Sequence, residues 1–291
     1  MTLRNLLTIS LFFCSTISFG QNTILWKVTN SNNKNISYLL GTYHQFGESF
    51  IDSLPVIKEK LQASDLIITE VKVDRAKWAE LYNARPSSDT LSTILSKKDI
   101  EFITGILKKG QVDISKYTPG ELIAKLQSNF PMTICNAINK TDKKLMDEYV
   151  QLLGSQLQKQ LYYFETDSFQ IDIVKQTLQM YDWNFFKKNV PALLDIYRNG
   201  KQNESLCSFP NQYASFTLDY KFEEDCNVLK DAKVNEDLVK KRNEDWMQKL
   251  PSLLEHNNCF IAVGLKHFYT KCGLIQRLKG LGYTVEPVTM K

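Results

Sequence analysis

Short apolar runs lie near both ends of the chain, and a long amphipathic stretch separates them. Near the start, Ile24–Val28 and Ile36–Gly41 have the composition of β-strands, and the turn-forming residues between them predict a hairpin. Asp65–Val71 has an apolar core, Leu66–Ile68, which is typical of a strand buried on both faces of a parallel sheet. The remaining predicted strands are Gln160–Thr166, Asn257–Val263 and Thr284–Val288.

Apolar residues recur with a helical period through the middle of the chain. In Lys143–Gln158, one face would carry Leu145, Met146, Tyr149 and Leu153, and such a stripe indicates a core-facing helix. The other predicted helices are Leu54–Ala63, Thr90–Leu95, Lys98–Lys108, Glu121–Asn129, Phe169–Met180, Trp183–Asn199, Glu236–Leu253 and Gly273–Leu281. We therefore expect an α/β fold. A mixed, mostly parallel central sheet would be flanked by helices, with a helical insertion between its N-terminal and C-terminal halves.

The first 20 residues have the pattern of a secretory signal peptide. Arg4 would form its positive region, Leu6–Phe13 its apolar core, and Ser18–Gly20 its cleavage site. The apolar run is short for a membrane span, which needs about 20 residues. We expect export to the periplasm or outside the cell, with no stable membrane span after cleavage; an uncleaved anchor is the main alternative. Residues 21–291 would form a single domain, largely helical over about 75–160 and 167–255.

The net charge of +4 is too mild to indicate a nucleic-acid-binding protein, and basic residues interleaved with aromatics do not form a stripe. We therefore expect no nucleic-acid partner. The oligomeric state is left open.

Five cysteines follow the predicted signal peptide, and disulfide pairing is the default for an exported protein. Two pairings that the sequence permits are Cys207 with Cys226, and Cys259 with Cys272, while Cys135 is the remaining cysteine. The connectivity is left open. The spacings do not form the Cys-x-x-Cys pairs of a structural zinc site.

Two of the three histidines share a four-residue frame, Gly-x-x-His, after an apolar run. The first frame is Gly41 to His44 and the second is Gly264 to His267. Glycine permits a close backbone approach at the end of a strand, and ligands of open α/β sheets gather beyond the carboxyl ends of the strands. Each histidine alone could be an ordinary loop residue, but the pair predicts one shared site.

Two glutamates occupy the same position relative to their strands. Glu70 ends the run that begins at Leu66, and Glu165 ends the run that begins at Leu161. If these strands are parallel to those before the histidines, all four groups meet at one sheet edge. Imidazole and carboxylate ligands suit a divalent metal, whereas a histidine oriented by a glutamate would permit metal-free hydrolysis. Either glutamate could also be an ordinary polar residue at a strand end.

A second cluster of candidate residues lies on the predicted helix Glu236–Leu253. Arg242, Asn243 and Trp246 fall on nearby faces of that helix. Arg242 could pair with a site carboxylate or a developing oxyanion. From composition alone, the run that it forms with Lys240 and Lys241 favours a solvated face.

These motifs together resemble the TraB/GumN family, whose relatives include the Tiki proteases and the erythromycin esterase/ChaN-like group. The matching segments are Leu25–Val28, Tyr38–His44, Asp65–Glu70, Met146–Tyr149, Phe164–Thr166, Arg242–Asn243, Ala262–His267, Gly273–Ile275 and Gly282–Val288. The resemblance implies an α/β fold and, as in the Tiki relatives, a metal-dependent peptidase that acts on a peptide or protein substrate. Lys266 departs from the small residues that the family commonly has before the second histidine.

The resemblance gives each candidate residue an expected role. His44, His267 and Glu70 would hold a divalent metal such as manganese, cobalt or zinc. Glu70, Glu165, Arg242 and Asn243 are the expected catalytic residues. Structural support is expected from Gly41, Gly264 and Asp147.

Two other functions remain open at this point. One is a non-enzymatic protein that binds a peptide signal or haem, and the other is a metal-independent, esterase-like hydrolase with a histidine base.

Overall fold

A computed structural model describes residues 23–200, 204–225 and 236–290 of the chain. The predicted signal peptide and Cys226 therefore lie outside the described residues. The strands are β1 (Leu25–Thr29), β2 (Ile36–Thr42), β3 (Leu66–Thr69), β4 (Gln160–Tyr163), β5 (Cys259–Gly264) and β6 (Thr284–Pro287). All six correspond to segments that the apolar pattern predicts.

Twelve α-helices occur within the described residues. They are α1 (Glu48–Asp52), α2 (Pro55–Gln62), α3 (Arg75–Asn83), α4 (Thr90–Ile94), α5 (Lys97–Leu107), α6 (Pro119–Ile134), α7 (Met146–Gln156), α8 (Asp167–Leu178), α9 (Trp183–Asn199), α10 (Ser208–Ser215), α11 (Lys241–His256) and α12 (Leu274–Gly280). The start of α6 illustrates how the sequence sets a boundary. The Thr118 side chain accepts a hydrogen bond from the Glu121 backbone N–H, and the Glu121 side chain accepts one from the Thr118 backbone N–H. Pro119 occupies the first turn.

The described strands form one mixed sheet in the order β4-β3-β5-β2-β1-β6. The first four are mutually parallel, while β1 runs antiparallel to β2 and β6. The predicted α/β fold with a mostly parallel central sheet is confirmed. Its strands β3 and β5 are buried at every position, as their unbroken apolar sequences predict.

The apolar core has two parts within the described residues. The larger one surrounds the sheet and includes Trp26, Phe260 and Trp246. The smaller one lies within the helical section, where Leu122 of α6 and Phe186 of α9 are fully buried. The helical section thus carries a core of its own, apart from the sheet.

The cysteine pairing differs from both arrangements that the sequence permitted. Cys207 forms a disulfide with Cys135, 72 residues away. Cys259 is a free, buried thiol, so it does not pair with Cys272. Cys135 follows the end of α6 and Cys207 precedes the start of α10, two elements that only the tertiary fold brings together. A disulfide is typical of proteins in oxidising compartments. In the described parts of the chain, every helix is too short or too polar to cross a membrane.

Candidate functional site

The four predicted site residues follow the carboxyl ends of the four parallel strands. His44 follows β2, Glu70 follows β3, Glu165 follows β4 and His267 follows β5. These strands are direct neighbours in the sheet, so their ends form one edge. The parallel arrangement on which the predicted site depended is present.

Arg242 of α11 links the two glutamates. Its Nε and Nη2 donate to Glu165 at 2.7 and 2.9 Å, and Nη2 also donates to Glu70 Oε2 at 2.6 Å. Its Nη1 donates to the Leu238 carbonyl at 3.1 Å and lies 3.3 Å from His267 Nε2. Arg242 is 7% exposed, so the solvated face favoured from composition is wrong. The helix turns its buried face, which includes Arg242, Asn243 and Trp246, toward the sheet.

The two carboxylates respond differently to this shared cation. Burial alone would raise the pKa of Glu70, but Arg242, the two histidines and the Gly264 amide at 2.7 Å outweigh burial and hold that pKa well below its ordinary value. Burial raises the pKa of Glu165, and the hydrogen bonds from Arg242 oppose the rise. Glu165 also accepts from Trp246 Nε1 at 2.9 Å.

His267 is buried, and its tautomer follows from its contacts. Asn243 Nδ2 donates to the carbonyls of His267 and Cys272, both at 3.1 Å, so Asn243 Oδ1 faces the imidazole. His267 Nδ1 lies 2.7 Å from that oxygen and must donate the hydrogen. Its Nε2 is consequently a lone-pair nitrogen. Burial, aided by Arg242, lowers the pKa of His267 to about 3 despite the opposing charge of Glu70.

His44 has the opposite environment, because its side chain is 53% exposed. Its Nδ1 lies 2.5 Å from Asp147 Oδ2, and the other oxygen of Asp147 accepts from Thr42 Oγ1 at 2.8 Å. The charge of Asp147 is the main reason that the pKa of His44 is raised to about 9. Asp147, predicted to give structural support, thus orients the imidazole through Nδ1 and leaves Nε2 directed toward Gly264.

The two glycines of the histidine frames allow close packing. A Cβ at Gly41 would lie 2.5 Å from Leu265 Cδ1, so the first frame packs directly on the second. A Cβ at Gly264 would lie 3.1 Å from His44 Nε2 and 3.2 Å from Glu70 Oε1. Both polar atoms therefore border the small space that this glycine leaves open.

The donor chemistry around that space suits a divalent metal. His267 Nε2 and Glu70 Oε1 are 3.7 Å apart, close to the separation of two ligands that each lie about 2.1 Å from one metal ion. Asp147 and Asn243 hold the Nδ1 atoms in the way that outer-shell acceptors orient metal-binding histidines. As the side chains stand, three or more His, Cys, Asp or Glu groups do not come together around one point in the described part of the chain. His44, His267 and Glu70 thus match a metal by donor type, with Arg242 lying against two of them.

A cavity of about 770 Å³ opens beside this edge, between the sheet and the helical section. His44, Glu70 and Asp147 line it, whereas Glu165, Arg242 and His267 lie behind them. Lys266, which departs from the family pattern, is exposed and contributes to the lowered pKa of His267.

Sequence reasoning missed several residues that support the site. Tyr213 of α10 is fully buried and donates to the Gly41 carbonyl at 2.7 Å. Gln45, next to His44, donates to the Ser128 carbonyl at 3.1 Å and so joins the first histidine frame to α6. The helical spacing of Phe209 and Tyr213 in α10, and of Phe216 directly after it, was a signal that the polar segment around them obscured.

Comparison with known proteins agrees with the geometry. The model of the TraB/PrgY/gumN family matches residues 24–287. No curated protein matches the chain, and no solved structure matches it. Since the family match covers nearly the whole sequence, including all four strand ends of the site, this chain belongs to the TraB/PrgY/gumN family.

Proposed function

We propose that the chain is an exported, metal-dependent hydrolase that acts as a peptidase. The observation that carries this proposal is the pair of imidazoles beside Glu70, each with Nδ1 held by another side chain. Asp147 holds His44, and Asn243 holds His267. The lone-pair Nε2 of His267 faces Glu70, and His44 Nε2 borders the same glycine. His44, His267 and Glu70 would hold manganese, cobalt or zinc, which when bound polarises a carbonyl and lowers the pKa of water.

The other residues of the site would act by positioning these three. The Arg242 donors are used by Glu70, Glu165, the Leu238 carbonyl and His267 Nε2, so Arg242 fixes these groups rather than reaching for a substrate. Glu165 is held by Arg242 and Trp246 behind the cavity wall, which supports the same positioning role. The polar atoms open to a substrate would be those of His44 and Glu70.

The size and position of the cavity support a peptide as the substrate. Its volume of about 770 Å³ lies within the range of about 300–1,000 Å³ for ligand pockets. It continues from His44 along α6, where Ser128 and Asn129 line it. Such side chains can pair with a peptide backbone. The disulfide between Cys135 and Cys207 supports an oxidising compartment, and we propose the periplasm or the exterior of the cell.

The test is metal binding by protein purified without chelator or affinity tag. About one divalent ion per chain is expected from the three-ligand arrangement. The His44→Ala/His267→Ala double variant should lose it. His256→Ala is the matched control, because this third histidine is exposed and contacts only the Ser252 carbonyl among its described polar partners. Equal metal binding by the wild type and the double variant would contradict the proposed ligands.

Hydrolysis is tested separately with a peptide library in the presence of manganese, cobalt or zinc. Turnover should require His44 and should stop when a chelator is added. Binding of peptides without turnover would favour the alternative of a peptide-binding protein.

The contact between His44 and Asp147 favours a second candidate, metal-independent hydrolysis with His44 as the base. A half-exposed imidazole oriented by a carboxylate is the arrangement of a general base. Activity that survives a chelator but is lost in His44→Ala would select this mechanism over the first.

A further inference from the structure

The end of the cavity away from His44 has a different character from the end near it. Its wall is apolar and aromatic, with Trp78 and Tyr82 of α3, Leu107 of α5 and Tyr117. Tyr82, Leu107 and Tyr117 are buried. A surface of this kind accommodates an apolar side chain rather than the chemistry of a hydrolytic site.

Lys125 of α6 is a half-buried amine that lines this part of the cavity. Its Nζ lies 5.9 Å from the centroid of the Tyr82 ring, within the range of a cation–π contact. Among the described residues, the amine makes no ion pair within 4.0 Å. Glu121 acts on it only through its longer-range charge. A half-buried cation with so little compensation favours an anionic partner.

Glu121, the nearest source of negative charge, is already occupied. Arg85 Nη1 donates to both of its oxygens at 3.0 and 2.9 Å. The Thr118 backbone donates to Glu121 Oε2 at 2.9 Å. Arg85 therefore neutralises Glu121, and Lys125 is the additional positive charge at this end.

The acids that line the cavity are each engaged by a nearby group: Glu70 accepts from Arg242, and Asp74 accepts from the Lys77 backbone N–H at the start of α3. Asp147 holds His44, Glu148 pairs with Arg75, and Asp142 accepts from Ser49. They are held by these local contacts and are not partners of Lys125. The cavity thus has a hydrolytic end at His44 and an apolar end with a cation.

We propose that the cavity binds the C-terminal end of a peptide, with the last, apolar side chain against Tyr82 and Trp78 and its free carboxylate on Lys125. This inference rests on the proposed function for the claim that the ligand is a substrate. It assigns the substrate class as peptides that end in an apolar residue. The carboxylate would itself favour the charged form of Lys125.

The test compares fluorescein-labelled pentapeptides that end in Leu, Phe or Val, each as the free acid and as the C-terminal amide. Binding is measured by fluorescence anisotropy with a chelator present, so that metal-dependent turnover does not consume the probe. The wild type should bind the acids about tenfold more tightly than the amides, as expected for a charge-assisted contact. Lys125→Met should bind both forms with the affinity of the amide.

Two further variants separate this effect from a general loss of fold or charge. Lys143→Met removes an exposed lysine that lines the same cavity, and it should keep the preference for acids. Lys125→Arg keeps the charge and should keep most of the preference. The quantity compared is the ratio of each variant's affinity for the free acid to its affinity for the amide. A uniform loss of affinity leaves this ratio unchanged, so it cannot be mistaken for the expected result.

Three outcomes would overturn the proposal. In the first, wild-type protein binds acids and amides equally, or binds neither at millimolar concentration. In the second, Lys125→Met keeps the preference for acids. In the third, decanoate displaces the peptides and binds more tightly than any of them, which would assign the cavity to an anionic lipid.

The proposed function can fail independently of this site. Preference for acids without cleavage in manganese, cobalt or zinc would retain the carboxylate site and reject the peptidase. Cleavage without any preference for acids would retain the peptidase and reject the site.

Discussion

The two Gly-x-x-His frames have the same spacing, follow neighbouring parallel strands, and place their histidines in opposite environments. His44 is half exposed, and the charge of Asp147 raises its pKa to about 9. His267 is buried against Trp246, with ring centroids 4.3 Å apart, and its pKa falls to about 3. The partner of Nδ1 is a carboxylate in one case and an amide in the other. A shared motif therefore fixes where an imidazole lies, while its neighbours decide which proton it holds.

The largest expected effect is a loss of stability in the buried region around His267, which distinguishes it from the exposed region around His44. Arg242→Met would leave the buried carboxylates of Glu70 and Glu165 without their cation. We expect the free energy of unfolding to fall by about 3–5 kcal/mol, since breaking a buried ion pair leaves an uncompensated charge. Urea denaturation of the metal-free protein measures this loss.

Arg75→Met is the matched control for that variant. Arg75 pairs with Glu148 on the cavity side, and its side chain is 45% exposed. Its loss should cost less than about 1 kcal/mol, as is usual for surface ion pairs. Equal losses in the two variants would show that the two regions do not differ in their dependence on charge.

A smaller effect is expected from making His44 resemble His267. Asp147→Asn replaces the carboxylate at Nδ1 by an amide, so the pKa of His44 should fall from about 9 toward the ordinary value of about 6.5. The raised pKa stabilises the wild type fully below about pH 6.5, and this contribution is lost as the pH rises to about 9. Because His44 is exposed, the contribution should be below about 1 kcal/mol.

NMR titration of the metal-free protein gives the pKa, and urea denaturation at several pH values gives the linked stability. His256 supplies an internal reference in the same spectra. An unchanged His44 titration in Asp147→Asn would reject Asp147 as the cause of the difference between the histidines.

The sequence predicted the sheet edge well because its signals are local. Each strand is a short apolar run, and the residue or turn that follows it bears the functional group, as at Glu70. For Arg242, the sequence permitted a pairing with a site carboxylate, but its two lysine neighbours favoured a solvated helix face. Its burial depends on α11 packing its Trp246 face against the sheet, which is a tertiary property.

The same limit explains the cysteines and α10. Cys135 and Cys207 are 72 residues apart, and only the packing of α6 near α10 brings them together. Polar residues around α10 favoured a loop over the aromatic spacing of Phe209 and Tyr213. Contacts between elements far apart in sequence follow from the whole core, so no short window contains them.

The smallest expected change in stability comes from Gly264→Ala, which tests the space between the two histidine regions. Gly264 has φ −51° and ψ 133°, so alanine fits its backbone. Alanine makes the unfolded chain less flexible, which should stabilise the folded state by about 0.4–1 kcal/mol. The new Cβ would lie 3.1 Å from His44 Nε2 and 3.2 Å from Glu70 Oε1, and the cost of these close contacts offsets that stabilisation. We therefore expect little net change in the unfolding free energy of the metal-free protein.

Metal binding should respond differently to the same methyl group. The Cβ would enter the space that His44 and Glu70 border, so the variant should lose most of the rise in melting temperature that manganese, cobalt or zinc gives the wild type. Gly105→Ala is the control, because a Cβ there has no neighbour within 4 Å. If Gly264→Ala keeps the full metal-dependent rise, His44 and Glu70 do not share an ion beside this glycine. In that case the two histidine frames are neighbours in the fold without forming one centre.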